Sequence, residues 1–510
     1  MNYQLTLDEI AKILNPEKNS KDNTLITGIS YDSRQVEEGD IFVCLIGEKT
    51  DGHNYIKDAE TKSAKAILAS KEITSKLPII YVKDTQIAIA TLSNIFFQEP
   101  SKKIRITGVT GTNGKTTTTH LIQHILEHNN LNTAVIGTLG TRETTQSDYY
   151  EAKHTTPQAP ELQNQLAKLH EKGFNHIAME VSSHALSLHR VHGCNFSSAV
   201  LTNVTQDHLD FHLTMDEYYE SKKKLFEMLN NSVHKNKHAI INNDDKWAPG
   251  FKDTIKNTVK LLTYGINTKS DFMAKDISFS SNGLTFLLLT PRGEFKITSK
   301  LNGLFNVYNL LAAIAISYAE GISLSKITDA VSSANPVDGR FQIVASEKNK
   351  NAPMCIVDYA HTPDGLENIL KAAKLIKDEK TKQNKTSKLI CVFGCGGDRD
   401  PTKRPKMGKI AEELSDTVIV TSDNPRTEDP NQIISDILSG IKNTSNITVE
   451  PDRKNAIEVA IKNAHKDDVV VIAGKGHEDY QILKDRTIHF DDREEVKRAL
   501  DECSSLRGTK

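Results

Sequence analysis

A glycine-rich loop between an apolar strand and an amphipathic helix constrains the fold of this chain more than any other feature. The apolar segment 104–109 predicts a strand, and the loop Thr110-Gly-Thr-Asn-Gly-Lys-Thr-Thr117 follows it directly. The segment after the loop has Leu121 and Ile125 on one face, which predicts a helix. Glycines let backbone N–H groups surround phosphate oxygens at the start of such a helix. The loop therefore predicts a phosphate-binding site for ATP or GTP.

Several residues of this loop are expected to contact the nucleotide directly. Lys115 supplies a positive charge, and the hydroxyl of Thr116 can bind magnesium. The spacing differs from the general pattern GxxxxGK followed by Ser or Thr, because Val109 stands where that pattern has its first glycine. The predicted nucleotide contacts in the loop are Gly111, Thr112, Asn113, Gly114, Lys115, Thr116 and Thr117.

Apolar strands alternate with helical segments over most of the chain, which indicates an α/β protein. One alternation starts at residue 103 and predicts a parallel sheet, and a helix is expected over 306–320. A second alternation predicts four strands, at 355–357, 389–393, 417–420 and 469–473. A length of 510 residues and the breakers between these blocks predict three domains. Their expected bounds are 1–100, 101–337 and 338–510.

Each of the four strands in the second alternation leads straight into a polar loop. These loops begin at Asp358, Gly394, Ser422 and Gly474. Because ligands of open α/β sheets bind at the carboxyl ends of strands, we expect the four loops to form one composite site. The charged segment from Lys377 to Lys388 lies between two of the strands and is expected to be a solvated loop.

The composition excludes several classes of protein. Lys and Arg total 64 and Asp and Glu total 66, so the net charge of −2 gives no long-range attraction for a nucleic acid. Six cysteines without a CxxC pair indicate a reducing compartment and not a disulfide scaffold. The N-terminus has no export signal, and no apolar run is long enough to cross a membrane. We therefore expect a cytoplasmic protein without nucleic-acid or membrane partners.

Two further segments accompany the glycine loop, Asp207-His-Leu-Asp210 and Asn306-Val-Tyr-Asn309. With these segments the chain resembles the Mur ligases over essentially its whole length. Further matching segments are Asp32-Ser-Arg34, Thr155-Thr-Pro157, Glu180-Val-Ser-Ser-His184, Cys395-Gly-Gly-Asp-Arg399 and Asp423-Asn-Pro-Arg426. The resemblance implies an N-terminal domain for a uridine nucleotide, a central ATP-binding domain of the phosphate-binding-loop type and a C-terminal Rossmann-like domain.

The resemblance also implies a reaction, in the branch of the family that adds the third residue of the peptidoglycan stem peptide. Such ligases transfer the γ-phosphate of ATP to the carboxylate of UDP-N-acetylmuramoyl-L-alanyl-D-glutamate, and an amine then attacks the acyl phosphate. Two negatively charged groups meet in the first step, so Mg²⁺ and lysine are needed to reduce their repulsion. The implied catalytic residues are Lys115, Glu180, His208 and Lys222, and the implied metal ligands are Thr116, Glu180, His208 and Lys222. A monomer is expected.

Lys222 has a special role by resemblance, since the family carries a lysine carboxylated by carbon dioxide (N6-carboxylysine) in this segment. Carbamate formation requires a neutral amine, which burial near other cations can provide. The alternative is a solvated basic helix face, and the adjacent Lys223 is the residue most easily confused with Lys222. Beyond the glycine loop, the resemblance implies ATP contacts from Asn306, Arg340 and Asp358.

Two groups of residues resemble the contacts of the family with the nucleotide-sugar substrate. Those implied for the uridine diphosphate are Tyr31, Ser33, Glu48, Lys49 and Thr50. Those implied for the muramoyl-dipeptide are His154, Thr155, Thr156, Ser182, Leu188 and Arg190. The planar fork of Arg190 suits a carboxylate or phosphate. Some relatives carry Gln where this chain has Leu188.

The segment Asp423-Asn-Pro-Arg426 predicts which amino acid is added. In the family, Arg at the last position resembles the meso-2,6-diaminopimelate enzymes, and lysine-adding enzymes have a non-basic residue there. Diaminopimelate is lysine with a second carboxylate, which a bidentate arginine binds well. An Asn-Pro turn without a binding role is the alternative. The implied amino-acid contacts are Arg399, Asp423, Asn424, Pro425, Arg426, Gly474 and Glu478.

Three other functions fit parts of the pattern. An L-lysine-adding ligase would share every motif except the role of Arg426. A folylpolyglutamate synthetase shares the type of glycine loop, but it lacks the uridine-type N-terminal domain and the Asp-Asn-Pro-Arg segment. A nucleotide-binding switch would hydrolyse ATP without a carboxylate substrate, and it would leave the four polar strand ends unexplained.

Overall fold

The computed structural model describes residues 3–14, 22–47, 50–150, 154–280, 283–346, 349, 352–382 and 386–507. Two of the predicted uridine contacts, Glu48 and Lys49, lie outside the described residues. In the described part of the chain, no helix is long and apolar enough to cross a membrane. All six cysteines are buried free thiols.

The N-terminal part contains a parallel four-stranded sheet in the order β3-β4-β5-β6. Its elements are β1 (Leu5–Thr6), α1 (Leu7–Leu14), β2 (Leu25–Ile26), β3 (Gly28–Ser30), β4 (Asp40–Val43), α2 (Ile56–Thr61), β5 (Ala66–Ala69), β6 (Ile79–Tyr81) and α3 (Thr85–Phe96). Short 3-10 helices occur at Gly52–Tyr55 and Pro100–Lys102. Strand β4 is buried along its whole length, and its residues after Asp40 are apolar.

The central part is built on an eleven-stranded sheet in the order β10-β9-β8-β11-β7-β12-β13-β14-β15-β16-β17. Its first elements are β7 (Arg105–Thr110), α4 (Lys115–His128), β8 (Thr133–Gly137), β9 (Gly140–Arg142), β10 (Tyr149–Tyr150), α5 (Ala159–Glu171), β11 (His176–Glu180), α6 (Ser183–Ser187), β12 (Ser198–Leu201), α7 (Leu209–His212) and α8 (Met215–Asn231). The remaining elements are β13 (His238–Asn242), α9 (Ala248–Thr254), β14 (Lys260–Gly265), β15 (Phe272–Ser280), β16 (Gly283–Thr290), β17 (Gly293–Ser299), α10 (Leu304–Ala319) and α11 (Leu324–Ser333).

The middle of this sheet is parallel, as predicted, but both of its edges are antiparallel. Strands β9 and β10 extend one edge, and β16 and β17 extend the other. Helices cover both faces of the parallel part, so that Val109 of β7 packs into one apolar cluster and Ile106 into the other. Burial on both faces explains why the parallel strands have continuous apolar sequences.

The C-terminal part has a six-stranded sheet in the order β18-β19-β23-β20-β21-β22, parallel except for β18. Its elements are β18 (Gln342–Val344), β19 (Met354–Asp358), α12 (Pro363–Lys382), β20 (Leu389–Phe393), α13 (Lys403–Leu414), β21 (Thr417–Val420), α14 (Pro430–Leu438), β22 (Ile447–Val449), α15 (Arg453–Asn463), β23 (Val469–Ala473), β24 (Tyr480–Ile482), β25 (Thr487–His489) and α16 (Asp492–Arg507). All four predicted strands are present.

One sequence expectation in this part is wrong. The segment from Lys377 to Lys388 was expected to be a solvated loop, but its first six residues form the last turns of α12. Lys and Glu are good helix formers. The preceding turns of the same helix are anchored by an apolar face that is buried at Ile369 and Ala373. The charged composition therefore marks the solvent-facing end of a helix.

Candidate active site

The glycine loop joins β7 to α4 at the carboxyl edge of the central sheet. Gly111 and Gly114 have φ angles of +148° and +87°. A Cβ atom on Gly111 would lie 1.8 Å from Thr202 Oγ1, and one on Gly114 would lie 2.3 Å from Asn309 Oδ1. Both the backbone conformation and the available space therefore require glycine at these two positions. The resulting tight turn points backbone groups toward the start of α4, where phosphates bind in other proteins.

Two lysines donate to the same carbonyl oxygen of this loop. The Nζ atoms of Lys115 and Lys222 lie 3.0 Å and 2.9 Å from Gly111 O. Lys222 is 1% exposed, and burial together with the nearby Lys115 holds its pKa well below its ordinary value. The neighbouring Lys223 donates instead to Glu220, a contact that raises the pKa of Lys223. Lys222 is therefore the lysine that faces the loop.

Glu180 is a fully buried carboxylate at the end of β11. Its two oxygens accept hydrogen bonds from the backbone N–H and the hydroxyl of Thr138, both at 2.9 Å. Gly137 makes this approach possible, since a Cβ atom there would lie 2.3 Å from Glu180 Oε1. The Thr138 hydroxyl also contacts the Thr155 hydroxyl at 3.1 Å, which links Glu180 to the predicted dipeptide-binding segment.

His208 precedes the short helix α7 and has a left-handed backbone conformation, with φ of +54°. Burial lowers the pKa of His208 to about 3, so its imidazole is neutral near pH 7 and can ligate a metal. Its Nε2 atom lies 3.2 Å from Asp207 Oδ2. The same Asp207 carboxylate faces His361 and Lys403 of the C-terminal part at 3.7 Å and 3.9 Å. Side chains of both the central and the C-terminal part therefore surround His208.

One cavity of about 410 Å³ between the central and C-terminal sheets is lined by Lys115, Glu180, Asp207, His208 and His361. From the C-terminal side, Arg340 donates to Thr116 Oγ1 at 3.3 Å, and its guanidinium lies 4.5 Å from the centre of the Tyr359 ring. The Asp364 carboxylate accepts a hydrogen bond from Asn113 of the glycine loop at 2.6 Å. The cavity is therefore formed by both sheets together.

The two other predicted nucleotide contacts lie beside this cavity. Asn306 is buried in α10, where it donates to Asn302 O at 2.7 Å and accepts from Asn309 at 2.9 Å. It lines an adjoining cavity of about 250 Å³ that also includes Arg340. Asp358 ends β19, lines the larger cavity and accepts from Phe341 N at 2.7 Å, and burial raises its pKa. The predicted nucleotide contacts are thus brought together.

A row of polar residues connects the N-terminal part to Glu180. The hydroxyl of Tyr31 donates to Glu161 at 2.6 Å. Arg190 donates to Thr156 O at 3.2 Å, and its buried Nε atom has no hydrogen-bond partner among the described residues. The Thr156 hydroxyl donates to the backbone carbonyl at the end of β11 at 2.8 Å and accepts from the N–H of Ser182 at 3.1 Å. The predicted dipeptide contacts Thr156, Ser182 and Arg190 therefore form one cluster.

The other predicted contacts with the nucleotide-sugar do not belong to this cluster. Ser33 is buried, whereas Thr50 and His154 are exposed. Leu188 ends helix α6 and is half-buried. Its side chain has no polar atom, so a contact like that of the glutamine in some relatives cannot form through a hydrogen bond.

The loops after β21 and β23 meet around the predicted amino-acid contacts. Arg426 has a φ of +53° and donates to Gly397 O at 2.9 Å. The amide of Asn424 donates to Glu478 Oε2 at 2.9 Å. The fully buried Lys475 donates to the same oxygen at 3.0 Å. These contacts fix the directions of Asn424 and Glu478.

The remaining predicted amino-acid contacts surround that group. Arg399 is exposed and donates to Asp398 O at 2.8 Å. Asp423 and Pro425 are buried. Gly474 has a φ of +123°, and a Cβ atom there would lie 2.5 Å from Asp423 Oδ2. The four polar loops predicted from the strand ends thus lie next to one another, as expected.

Sequence reasoning missed several residues that connect the two ends of this cleft. Tyr359 lies between Arg340, which it contacts through its ring, and Glu478, whose Oε1 atom is 3.5 Å from its hydroxyl. His477 Nδ1 lies 3.2 Å from Arg340 Nη1. Lys475 supports Glu478, as described above. All three lie in the polar loops after strands, so position at a strand end was the one available signal.

A glycine loop on a parallel sheet, opposed by the polar strand ends of a second sheet, defines a phosphate-binding-loop protein of the α/β class. Three family descriptions match the chain in order. "Mur ligase family, catalytic domain" matches residues 25–98, "Mur ligase middle domain" matches 109–317, and "Mur ligase, glutamate ligase domain" matches 339–476. The chain belongs to the Mur ligase family, which confirms the resemblance seen in its sequence.

Individual relatives are similar over nearly the full chain. UDP-N-acetylmuramoyl-L-alanyl-D-glutamate–2,6-diaminopimelate ligase from Bacillus cereus is 45% identical over 94% of this chain and 95% of the relative. The enzyme of the same name from Gloeobacter violaceus is also 45% identical, over 93% and 94%. A solved structure of a ligase with this name has a TM-score of 0.67 and 35% identity, and covers 98% of this chain and 99% of its own.

Proposed function

We propose that this protein is an ATP-dependent ligase that adds meso-2,6-diaminopimelate to UDP-N-acetylmuramoyl-L-alanyl-D-glutamate in peptidoglycan precursor synthesis. The observation that carries the proposal is a continuous chain of contacts between two sites. Arg340 contacts Thr116 of the glycine loop and Tyr359, Tyr359 contacts Glu478, and Glu478 contacts Asn424. A phosphate site and an amino-acid site so connected suit a reaction that joins an activated carboxylate to an amine.

Each of the three parts has a separate task in this proposal. Residues 1–100 bind the uridine diphosphate, residues 101–337 bind ATP and the dipeptide, and residues 338–510 bind the incoming amino acid. The protein is proposed to be a cytoplasmic monomer without membrane partners. The free buried thiols support a reducing compartment, and the net charge of −2 gives no attraction for nucleic acid.

The proposed first step is phosphoryl transfer from ATP to the substrate carboxylate, which gives an acyl phosphate and ADP. Lys115, Arg340 and backbone N–H groups of the glycine loop reduce the negative charge that opposes this step. Lys115 and the loop line the cavity from the central side, and Arg340 reaches Thr116 from the C-terminal side. Their hydrogen bonds within the protein support this role, because charged groups that are already placed need not reorganise during the reaction. In the second step, the amine attacks the acyl carbon and phosphate leaves.

A magnesium ion fits the residues that line this cavity from the central side. Among the described residues, no three His, Cys, Asp or Glu side chains converge as a ready-made metal cage. Magnesium usually binds through one or two carboxylates together with substrate phosphates and water. The Thr116 hydroxyl, the Glu180 carboxylate and the neutral His208 imidazole would hold it here. When bound, the ion neutralises charge between the phosphates and the substrate carboxylate.

Lys222 fits a carboxylated lysine. Carbon dioxide reacts with a neutral amine to form an N–C bond, and one proton leaves the nitrogen. Burial and the nearby Lys115 lower the pKa of Lys222, which favours the neutral amine that this reaction needs, and Lys115 would pair with the carbamate. Carboxylation would turn a buried cation into an oxygen ligand for the metal.

Arg190 and Arg426 are proposed to bind the carboxylates of the two substrates. The unpaired Nε of Arg190 beside Thr156 supports an anionic group of the dipeptide as its partner. Arg426 donates to the carbonyls of Gly397 and Asn424, and among the described residues no carboxylate forms an ion pair with it. The second carboxylate of diaminopimelate supplies the opposite charge, and plain lysine does not.

Phosphate release by the purified protein tests the proposal. The assay contains ATP, magnesium and UDP-N-acetylmuramoyl-L-alanyl-D-glutamate, with meso-diaminopimelate, L-lysine or no amine, and product mass is measured in parallel. We expect turnover with diaminopimelate and little with lysine. Equal or greater turnover with lysine would contradict the amino-acid assignment, and turnover independent of the nucleotide-sugar would contradict a ligase.

A further inference from the structure

We propose that Arg404 and Glu428 are positioning residues that set the preference for an amino acid with a second carboxylate. Neither residue is expected to touch substrate. They form an ion pair that fixes two loops, residues 396–399 and 424–428, which present Arg399 and Arg426. The inference rests on the proposed function, because it assumes that these two arginines bind the amino acid.

One guanidinium reaches three separate segments of the C-terminal part. Arg404 in α13 is 2% exposed. Its Nη2 donates to Glu428 Oε1 at 2.8 Å and to Gly396 O at 3.3 Å, and its Nη1 donates to Asp436 Oδ2 at 2.8 Å. The Gly396 and Glu428 contacts each hold one of the two loops. Arg404 therefore sets the distance between the loops.

A second set of contacts ties the two loops directly to each other. The N–H of Asp398 donates to Glu428 Oε1, the same oxygen that accepts from Arg404. The hydroxyl of Thr427 donates to Asp398 Oδ1 at 2.7 Å. A Cβ atom on Gly397 would lie 2.0 Å from Pro425 O, so the two backbones are in direct contact. A shift of one loop must therefore move the other.

The direction of Arg426 depends on this arrangement. Its φ of +53° is a conformation that residues other than glycine rarely adopt, so neighbouring contacts must maintain it. Its guanidinium donates to Gly397 O at 2.9 Å, which is part of the opposite loop. Loss of the Arg404 contacts to Gly396 and Glu428 would free that carbonyl to move, and Arg426 would lose its fixed orientation.

Stability alone gives little reason for an ion pair at this position. Well-packed apolar residues often replace a buried ion pair without loss of stability, because desolvation of the charges offsets their attraction. Arg404 also leaves its own Nε without a partner among the described residues. A positioning role accounts for a charged group here, since only a planar fork reaches carbonyl and carboxylate acceptors on several segments at once.

Steady-state kinetics of Arg404→Met in the full-length protein tests the inference. We expect the KM for diaminopimelate to rise about tenfold and the preference over lysine to fall about tenfold, as for loss of a charge-assisted contact. The KM for ATP should stay within about twofold, because the glycine loop is not involved. A general structural defect would instead change both KM values or leave the preference intact, and either result would overturn the inference.

Three further variants make the result specific. Arg105→Met removes a matched pair in the central part, where Arg105 donates to Glu320 at 2.6 Å and 2.8 Å, and it should lower the thermal midpoint without changing the preference. Asp436→Asn weakens the arm of Arg404 that touches neither loop, so the preference should again stay within about twofold. Glu428→Gln keeps the size of the side chain, and it provides the test if Arg404→Met does not fold.

Failure of this inference is distinct from failure of the proposed function. A wild-type protein that does not use diaminopimelate contradicts the proposed function, and the inference then falls with it. A wild type that prefers diaminopimelate, together with Arg404→Met and Glu428→Gln variants that keep that preference, contradicts the inference alone.

Discussion

The glycine loop of the central sheet and the arginine loops of the C-terminal sheet are both proposed to bind anions, but they place their buried cations Lys222 and Arg404 differently. Lys115 and Lys222 are placed by hydrogen bonds to the backbone carbonyl of Gly111. Arg404 is placed by the carboxylates of Glu428 and Asp436. A carbonyl orients a cation without cancelling its charge, whereas a carboxylate does both. In the first region carbonyls therefore leave the lysines free to meet phosphates, whereas in the second region the charge pairs of Arg404 hold a framework on which Arg426 keeps its own charge.

The two regions also differ in how many segments of the chain build them: one segment builds the glycine loop, and several build the arginine loops. The glycine loop draws most of its geometry from eight consecutive residues and the start of one helix. The arginine loops depend on contacts between residues 396–399, 424–428 and 474–482, which are far apart in sequence. A single substitution should therefore have a larger effect in the first region, where each residue lies close to the proposed position of the transferred phosphate.

The largest expected effect is that of Lys222→Ala in the glycine-loop region. We expect kcat to fall by about a thousandfold, because a charge-stabilising group at the reacting phosphate is lost. Phosphate release measures the effect. Lys223→Ala is the matched control on the same helix, and it should retain kcat within about twofold. With ¹³C-labelled bicarbonate, a carbamate NMR signal should appear in the wild type and in Lys223→Ala, but not in Lys222→Ala. Similar kcat values for the two variants would contradict a special role for Lys222.

Gly114→Ala should have the next largest effect. The added Cβ atom would lie 2.3 Å from Asn309 Oδ1 at a φ of +87°, so the loop must change shape. We expect ADP binding, measured by calorimetry, to weaken by about thirtyfold. Gly321→Ala is the control, because its φ is +92° and no atom lies within 4 Å of its Cβ position. Equal weakening in both variants would mean that backbone strain, and not loop geometry, causes the loss.

Arg426→Ala should have a smaller and more selective effect in the C-terminal region. Loss of a hydrogen bond between charged groups costs about 2 kcal/mol, so kcat/KM for diaminopimelate should fall about thirtyfold. With L-lysine, kcat/KM should change by less than about threefold. Arg486→Ala, an exposed arginine beside β25, is the control and should behave as the wild type. An equal loss with both amino acids would contradict a carboxylate-binding role.

Acid should weaken the C-terminal framework, and this is the smallest expected effect. The hydrogen bond from Arg404 lowers the pKa of Glu428 below 4.5, so the contribution of the pair to stability is complete above that pH. It is lost as the pH falls through the lowered pKa. We therefore expect the difference in urea midpoint between the wild type and Glu428→Gln to be present at pH 7 and to shrink below about pH 4. A constant difference would show that the charge of Glu428 is not involved.

The two regions also differ in how far the sequence predicted them. The strand, glycine loop and helix at 104–126 were predicted correctly, because the glycines and Lys115 act through local geometry. The polar strand ends identified Glu478 and Arg426, but not Arg404, whose importance comes from contacts with residues 24 and 32 positions away. The antiparallel strands β15 to β17 were not predicted either, since β15 and β17 are half-exposed and lack a continuous apolar run.

The position of Asp207 has a consequence for motion between the sheets. This carboxylate lies beside His208 in the central part and faces His361 and Lys403 in the C-terminal part. Separation of the two sheets would remove Lys403 and His361 from the surroundings of Asp207. Its carboxylate would then interact only with groups of the central part, among them His208 and Lys222. Opening of the cleft and the electrostatic surroundings of His208, a proposed metal ligand, are therefore thermodynamically coupled, so a ligand that bridges the two sheets also changes the charges around this imidazole.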